Sequence, residues 1–141
     1  PVVAPATYRG LVGLGEREKA DGTVLTVGMP AESRFGRIVR DASGSVARIV
    51  EYKDASPAER AIDEGNAGVY CFRPAALWPA IEALRNDNAQ GEYYLTDVVA
   101  IFLANGGRVV SMLSDVPGEE LGVNTPEDLE IAGRALAERQ L

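Results

Sequence analysis

Four polar clusters in this chain have residue types able to do chemistry. The first is Phe35-Gly36-Arg37, where a glycine lets a ligand approach backbone N–H groups. A plain strand-start glycine reads the same way. The second pairs Glu51-Tyr52-Lys53-Asp54 with Glu64-Gly65-Asn66-Ala67-Gly68. A carboxylate at Glu51 can accept two hydroxyls, and the Asn66 amide can both donate and accept. A solvated strand-end acid and a turn asparagine fit equally well. The third is the run NDNAQGEYYLTD, Asn86–Asp97, with three amide side chains among Asn86, Asn88 and Gln90, plus Glu92, Tyr93, Tyr94 and Thr96. Tyrosines there can cover a sugar ring, while Asp97 also suits the first turn of a helix. The fourth, Gly122-Val123-Asn124-Thr125-Pro126, offers an amide oxygen at Asn124 that suits either magnesium or a helix start.

Composition excludes other chemistries. Histidine is absent, so Ser–His, Cys–His and His-ligated zinc mechanisms cannot be built from this chain. Cys71 is the single cysteine, which rules out an internal disulfide and is compatible with a reducing compartment. Its surroundings, GVYCF, read as a core strand. The 21 acidic against 14 basic residues leave a net charge of −7, which argues against nonspecific binding to nucleic acid or to anionic membranes. A phosphate can still be held by a divalent cation, by backbone N–H groups or by a lysine. No apolar run is long enough for a transmembrane helix and no secretory signal is visible, so a cytoplasmic setting is expected.

Local patterns give the elements that must position these clusters. Pro5 and Thr7 open a helix over about residues 5–18. TVLTVGM is a continuous apolar run, a strand buried on both faces. GRIVRD and SVARIVEY flank Asp41-Ala42-Ser43-Gly44 as a hairpin, with Arg37, Arg40 and Arg48 expected outward. SPAERAID carries a serine cap, a first-position proline and a third-position glutamate. NAGVYCF is a second buried strand. A helix from Pro74 to about Arg85 places Leu77, Trp78, Ile81 and Leu84 on one stripe. Thr96 is expected to cap the helix DVVAIFLANG, which Gly106-Gly107 ends. RVVSML is a further strand, and a last helix starts at Thr125-Pro126 with Leu129, Ile131 and Ala132 inward. Helices and buried strands alternate around one inserted hairpin, an α/β layered body. The first helix has no strand before it, as though the chain enters a larger sheet partway. An exposed sheet edge and apolar helix faces would favour a homo-oligomer.

In order, the chain reads FGRIVRD, IVEYKDAS, EGNAGVY, NDNAQGEYYLTD and LGVNTPEDL. This series resembles the bacterial N-acetylglucosamine-1-phosphate uridyltransferase domain over about residues 1 to 138. The longest motif is specific to it, whereas FGRIV and GVN occur more widely among sugar nucleotidyltransferases. The resemblance implies the C-terminal part of a Rossmann-like nucleotidyltransferase fold, a mixed sheet flanked by helices with an inserted β-hairpin. It implies transfer of UMP from UTP to N-acetylglucosamine-1-phosphate with release of pyrophosphate, magnesium as cofactor, and those two substrates as partners. On matching positions, Gly36 would offer backbone to the sugar and Glu51 and Asn66 would hold hydroxyls. Tyr94 and Thr96 would line the sugar-phosphate site, Glu92 would order their loop, and Asn124 would be one of two magnesium ligands. The family's opening glycine-rich loop and lysine are missing here. Pro1 matches the proline of the Gly-Asp-x-Pro segment that carries the other ligand, and no hexapeptide repeat of an acetyltransferase domain follows. The 141 residues alone are therefore expected to be inactive. Residues 65–68 and 123–126 depart from the family's Ile-Asn-Thr-Gly and Val-Asn-Asp/Asn-Arg but keep both asparagines. Two other readings remain: a nucleotidyltransferase for a different sugar phosphate, and a noncatalytic sugar-phosphate-binding module.

Overall fold

The structure, a computed structural model, describes residues 2–29, 32–123 and 125–139. Its centre is β1 (Gly22–Gly28), whose residues Val24, Leu25, Thr26 and Val27 are all buried. β1 runs antiparallel to β4 (Glu64–Phe72) and parallel to β5 (Val109–Ser114). A hairpin of β2 (Arg37–Arg40) and β3 (Val46–Val50) joins the other side of β4 through the Arg37–Gly65 pair, giving the strand order β3-β2-β4-β1-β5. β1 is flanked on both sides and covered on both faces, and so reads as an unbroken apolar run.

Strand alternation sorts the core into two layers. On one face Val24 meets the hairpin through Ile38, Val46 and Ile49. There it also meets α4 (Asp97–Ala104) through Val98, Val99 and Phe102. α3 (Pro74–Glu82) closes that layer with Ala80, and Leu77, Ile81 and Leu84 pack against it at helical spacing. Trp78 departs from the expected stripe: it is 63% exposed, because one residue on from Leu77 rotates it about 100° off the buried line. On the other face Leu25, Val27 and Ala67 pack against Leu11 of α1 (Pro5–Glu18).

The short α2 (Pro57–Arg60) forms the expected capping box: Ser56 and Glu59 bond each other's backbone N–H groups at 3.3 and 2.8 Å. The last helix, α5 (Pro126–Arg139), starts with a similar exchange between Thr125 and Asp128. Its apolar residues do not all turn inward. Ala132 is buried, whereas Leu129 and Ile131 are 62% and 46% exposed. Only one narrow stripe of α5 meets the rest of the described chain.

α1 has no side-chain cap of its own. Glu119, 1% exposed, supplies one from the far end of the sequence. Its carboxylate accepts from Ala4 N at 2.8 Å and Thr7 Oγ1 at 2.7 Å, and from the Ser114 hydroxyl at the end of β5. A charge at that depth is tolerated because several donors and the positive end of the helix face it. Replacing Glu119 by Ala leaves those donors without their acceptor. The expected loss is on the order of 3 kcal/mol in urea unfolding, with the slope of the transition unchanged.

Candidate functional site

The hairpin brings Gly36 and Glu51 together, since they lie just before β2 and just after β3. A Cβ placed on Gly36 would sit 3.3 Å from both Ile49 Cγ2 and Val50 O, and 3.5 Å from Glu51 Oε2. The glycine, itself buried, therefore lets the two strand ends pack closer than a side chain would allow, beside one carboxylate oxygen of Glu51. Its carbonyl accepts from Asn66 N at 2.9 Å, which stitches the hairpin to β4.

Arg37, expected to face outward, is completely buried. Its guanidinium donates to the carbonyls of Ser33 (2.6 Å), Phe35 and Arg60 (3.3 Å), and lies over the Tyr52 ring at 5.6 Å. Arg60 lies over that ring at 4.8 Å and donates to Tyr52 O. Alternation alone misplaced Arg37, because carbonyls of two turning segments supply the acceptors that make its burial tolerable.

Asn66 is buried within β4. The strand bulges between the pairs Thr26–Asn66 and Val24–Tyr70, and Gly68 takes a φ of 71° there. That left-handed turn brings Gly68 N to Asn66 Oδ1 at 3.0 Å, leaving Asn66 Nδ2 to donate to the Tyr70 hydroxyl at 2.6 Å. Burial pushes the Tyr70 phenol up to about 12; the Asn66 hydrogen bond opposes this and the nearby Glu51 charge adds to it. Tyr70 also stacks on Phe72 at 5.1 Å, which anchors the polar group to the core.

Thr96 immediately precedes α4, yet its side chain caps nothing. Its hydroxyl donates instead to Glu51 Oε1 at 2.9 Å. Geometry decides this, since Thr96 has helical backbone angles that turn its oxygen away from the helix N–H groups. The loop before it is ordered by Asn88, which accepts from Gln90 N and Glu92 N and donates to Glu92 O at 2.5 Å. Glu92 thus contributes its backbone, and its carboxylate is exposed. Tyr94 donates to Asp54 Oδ2 at 3.0 Å and accepts from Gln90 Nε2 at 2.8 Å.

Glu51 is shared by two hollows. One, of about 260 Å³, is lined by Arg48, Glu51, Asp54, Asp87, Tyr94 and Asp97. The other, of about 220 Å³, is lined by Arg34, Glu51, Tyr52, Lys53 and Gln90. Gly36, Glu51, Asn66, Tyr94 and Thr96 therefore share one wall, in which Glu51 and Tyr94 line the hollows and Gly36, Asn66 and Thr96 are buried. Asn124, the expected magnesium ligand, and Pro1 lie outside the described residues. Among the described residues no group of three or more carboxylates or cysteines could hold a metal. Asp54 and Tyr70 belong to the wall and were not singled out from the sequence. Asp54 stood beside Glu51 in a cluster, and Tyr70 looked like ordinary strand core.

Asp97 carries a raised pKa, first because it is partly buried and then because Asp54 and Asp87 face it. Its ionised form is thus penalised in the folded state. The penalty is complete above the folded pKa and is relieved as pH falls through it toward the unfolded value. Asp97→Asn is expected to raise the urea midpoint at pH 7 to 8, with the gain vanishing in acid; a pH series of unfolding curves checks this.

Comparisons with known proteins agree with this architecture. Over 139 residues the chain is 46% identical to the bifunctional protein GlmU of Brevibacillus brevis and 45% identical to that of Heliobacterium modesticaldum. Each match covers 99% of this chain and 30% of the relative, so the chain spans about a third of the length of the curated relatives it matches. A solved structure from Bacillus anthracis, assigned as a glucose-1-phosphate thymidylyltransferase in complex with a sucrose, superposes with a TM-score of 0.65. That match covers 91% of this chain and 48% of the other at 20% identity, and it shows the shared fold. The profile of the family described as Nucleotidyl transferase matches residues 4–118, and the chain belongs to that family.

Proposed function

We propose that this chain carries the sugar-phosphate side of a uridyltransferase that makes UDP-N-acetylglucosamine and pyrophosphate from UTP and N-acetylglucosamine-1-phosphate. The observation that carries the reading is the Glu51 carboxylate. One of its oxygens is fixed by Thr96, the other lies beside the closely packed Gly36, and the carboxylate lines both hollows. A half-buried, immobilised carboxylate can accept two neighbouring sugar hydroxyls, and the ordering cost has already been met in the folded state. Asn66 and Gly36 would hold further sugar groups, while Tyr94 and Thr96 line the phosphate side.

The chemistry asks little of these residues beyond placement. A sugar phosphate is already ionised near neutral pH, so attack on the α-phosphorus of UTP needs no protein base, and the absence of histidine is no obstacle. Magnesium, when bound, would neutralise charge on the phosphates. Its proposed ligand here is Asn124, on the strength of the resemblance, and no step is routed through it. The two hollows place cationic Arg34 and Lys53 on one side of Glu51, and three aspartates with the single cation Arg48 on the other. The phosphate is expected on the cationic side. No described helix is long and apolar enough to cross a membrane, and we place the reaction in the cytoplasm.

Since the relatives are about three times longer, we propose that the 141 residues bind the sugar phosphate without turning it over. Calorimetry should show N-acetylglucosamine-1-phosphate binding more tightly than glucose-1-phosphate. Glu51→Gln should weaken it about tenfold with little change in thermal midpoint. Equal affinity for the two sugar phosphates would point to another substrate. Rapid pyrophosphate release from UTP by the chain alone would overturn the half-site reading.

A further inference from the structure

At the outer edge of the wall four side chains, two of them wall residues, form a closed ring. Asp54 accepts from Tyr94 Oη at 3.0 Å through one oxygen and from Ala89 N at 2.8 Å through the other. The Gln90 amide donates to the same Tyr94 hydroxyl at 2.8 Å, and its oxygen accepts from Lys53 Nζ. The peptide bond between Lys53 and Asp54 completes the ring. Every side-chain bond in it crosses between the segment after β3 and the loop before α4, or locks that loop's own Gln90 to its Tyr94. The participants lie 35 to 40 residues apart in sequence.

We propose that Asp54 is a positioning residue for the sugar-phosphate site, acting through Tyr94 by clasping the loop after β3 to the loop before α4. The inference rests on the sugar-phosphate reading of the wall. Its physical basis is the placement of the ring. Glu51 and Thr96, the inner pair of the same two segments, are bonded at 2.9 Å, so the clasp fixes the outer ends of the segments whose inner ends touch the ligand. Asp54 occupies the phenol's only proton, which fixes the rotation of the Tyr94 hydroxyl. Gln90 occupies one lone pair, and the remaining one faces outward in a defined direction. Single exposed polar pairs contribute little, but a ring in which each group both constrains and polarises its neighbours holds geometry better than its members separately. Lys53 takes part as a donor, so its charge stays beside the hollow that Arg34 and Glu51 also line.

The test is a double-mutant cycle in calorimetric affinity for N-acetylglucosamine-1-phosphate, using the 141-residue chain. Asp54→Asn keeps the side chain's size but presents an N–H to one of two donors. It should weaken binding about fivefold while the thermal midpoint holds. Tyr94→Phe should weaken binding at least as much, and the double variant should be no worse than Tyr94→Phe alone. Unchanged affinity in Asp54→Asn, or losses that simply add, would overturn the proposal, since a merely structural acid would not couple to Tyr94 in ligand affinity. If the unmodified chain takes up no sugar phosphate, the ligand reading falls, and amide hydrogen exchange then decides the clasp. Faster exchange at Gly91 and Glu92 in Asp54→Asn upholds it, because neither amide touches Asp54 directly. Unchanged rates refute it.

Discussion

The burial of the Arg37 guanidinium is the constraint on which the site's geometry turns. A fully buried cation is expensive unless its donors are met, and this one meets carbonyls from Ser33, Phe35 and Arg60 while lying over Tyr52. Those contacts span the segment before β2 and the segment after β3, the two ends of one hairpin. A hairpin alone would leave its open ends free to splay. The arginine ties them, and the distance between Gly36 and Glu51 follows. The single ladder pair between Arg37 and Gly65 then sets that hairpin against β4, where Asn66 waits one residue further on. A lysine, with one compact ammonium in place of a fork of donors, could not hold both segments in this way.

Asn66 and Tyr70 show a second principle, the use of a bulge to aim a polar group. A regular strand would carry them on the same face with nothing to fix the amide. The extra residues opposite Leu25, with Gly68 in the left-handed region, fold the strand back onto Asn66 Oδ1 and commit its remaining N–H to Tyr70. The Tyr70 ring is in turn braced on Phe72, which meets Phe102 edge-on at 5.5 Å. Polar precision at the wall is therefore underwritten by aromatic packing in the core layer beneath it.

The elements themselves were legible because their signals are local. Continuous apolar residues marked β1, the Asp41–Gly44 turn marked the hairpin, and Ser56 with Glu59 marked α2. The errors came where a distant partner decided the outcome. Thr96 had the right type and place for a helix cap, but Glu51, 45 residues away, offered its hydroxyl a charged acceptor. Arg37 had outward alternation, but carbonyls of other segments drew it in. Glu119 had no pattern at all, since its role exists only where α1 meets the chain after β5. Leu129 and Ile131 were placed inward by helical spacing, which gives the apolar face of a helix but not whether the described chain covers it. The site wall was named mostly from the family's motifs, and the geometry added Asp54 and Tyr70, whose residue types are ordinary and whose partners are remote.

Under the proposed function, the arrangement of charge accounts for an acidic chain serving an anionic substrate. A net charge of −7 repels phosphate in general, and the hollow bearing Asp54, Asp87 and Asp97 repels it in particular. The raised Asp97 pKa records that crowding. Such a hollow suits neutral hydroxyls, which bring protons to its acceptors. Across Glu51 the sign changes, with Arg34 and Lys53 at the second hollow. A sugar phosphate has the same polarity, hydroxyls at one end and two negative charges at the other. Placed with its ring on the acidic side, it satisfies both halves; reversed, it sets phosphate against three carboxylates and one arginine that Glu59 already pairs. On the proposed reading the wall would select orientation as well as chemistry, with Glu51 at the boundary where the two requirements meet.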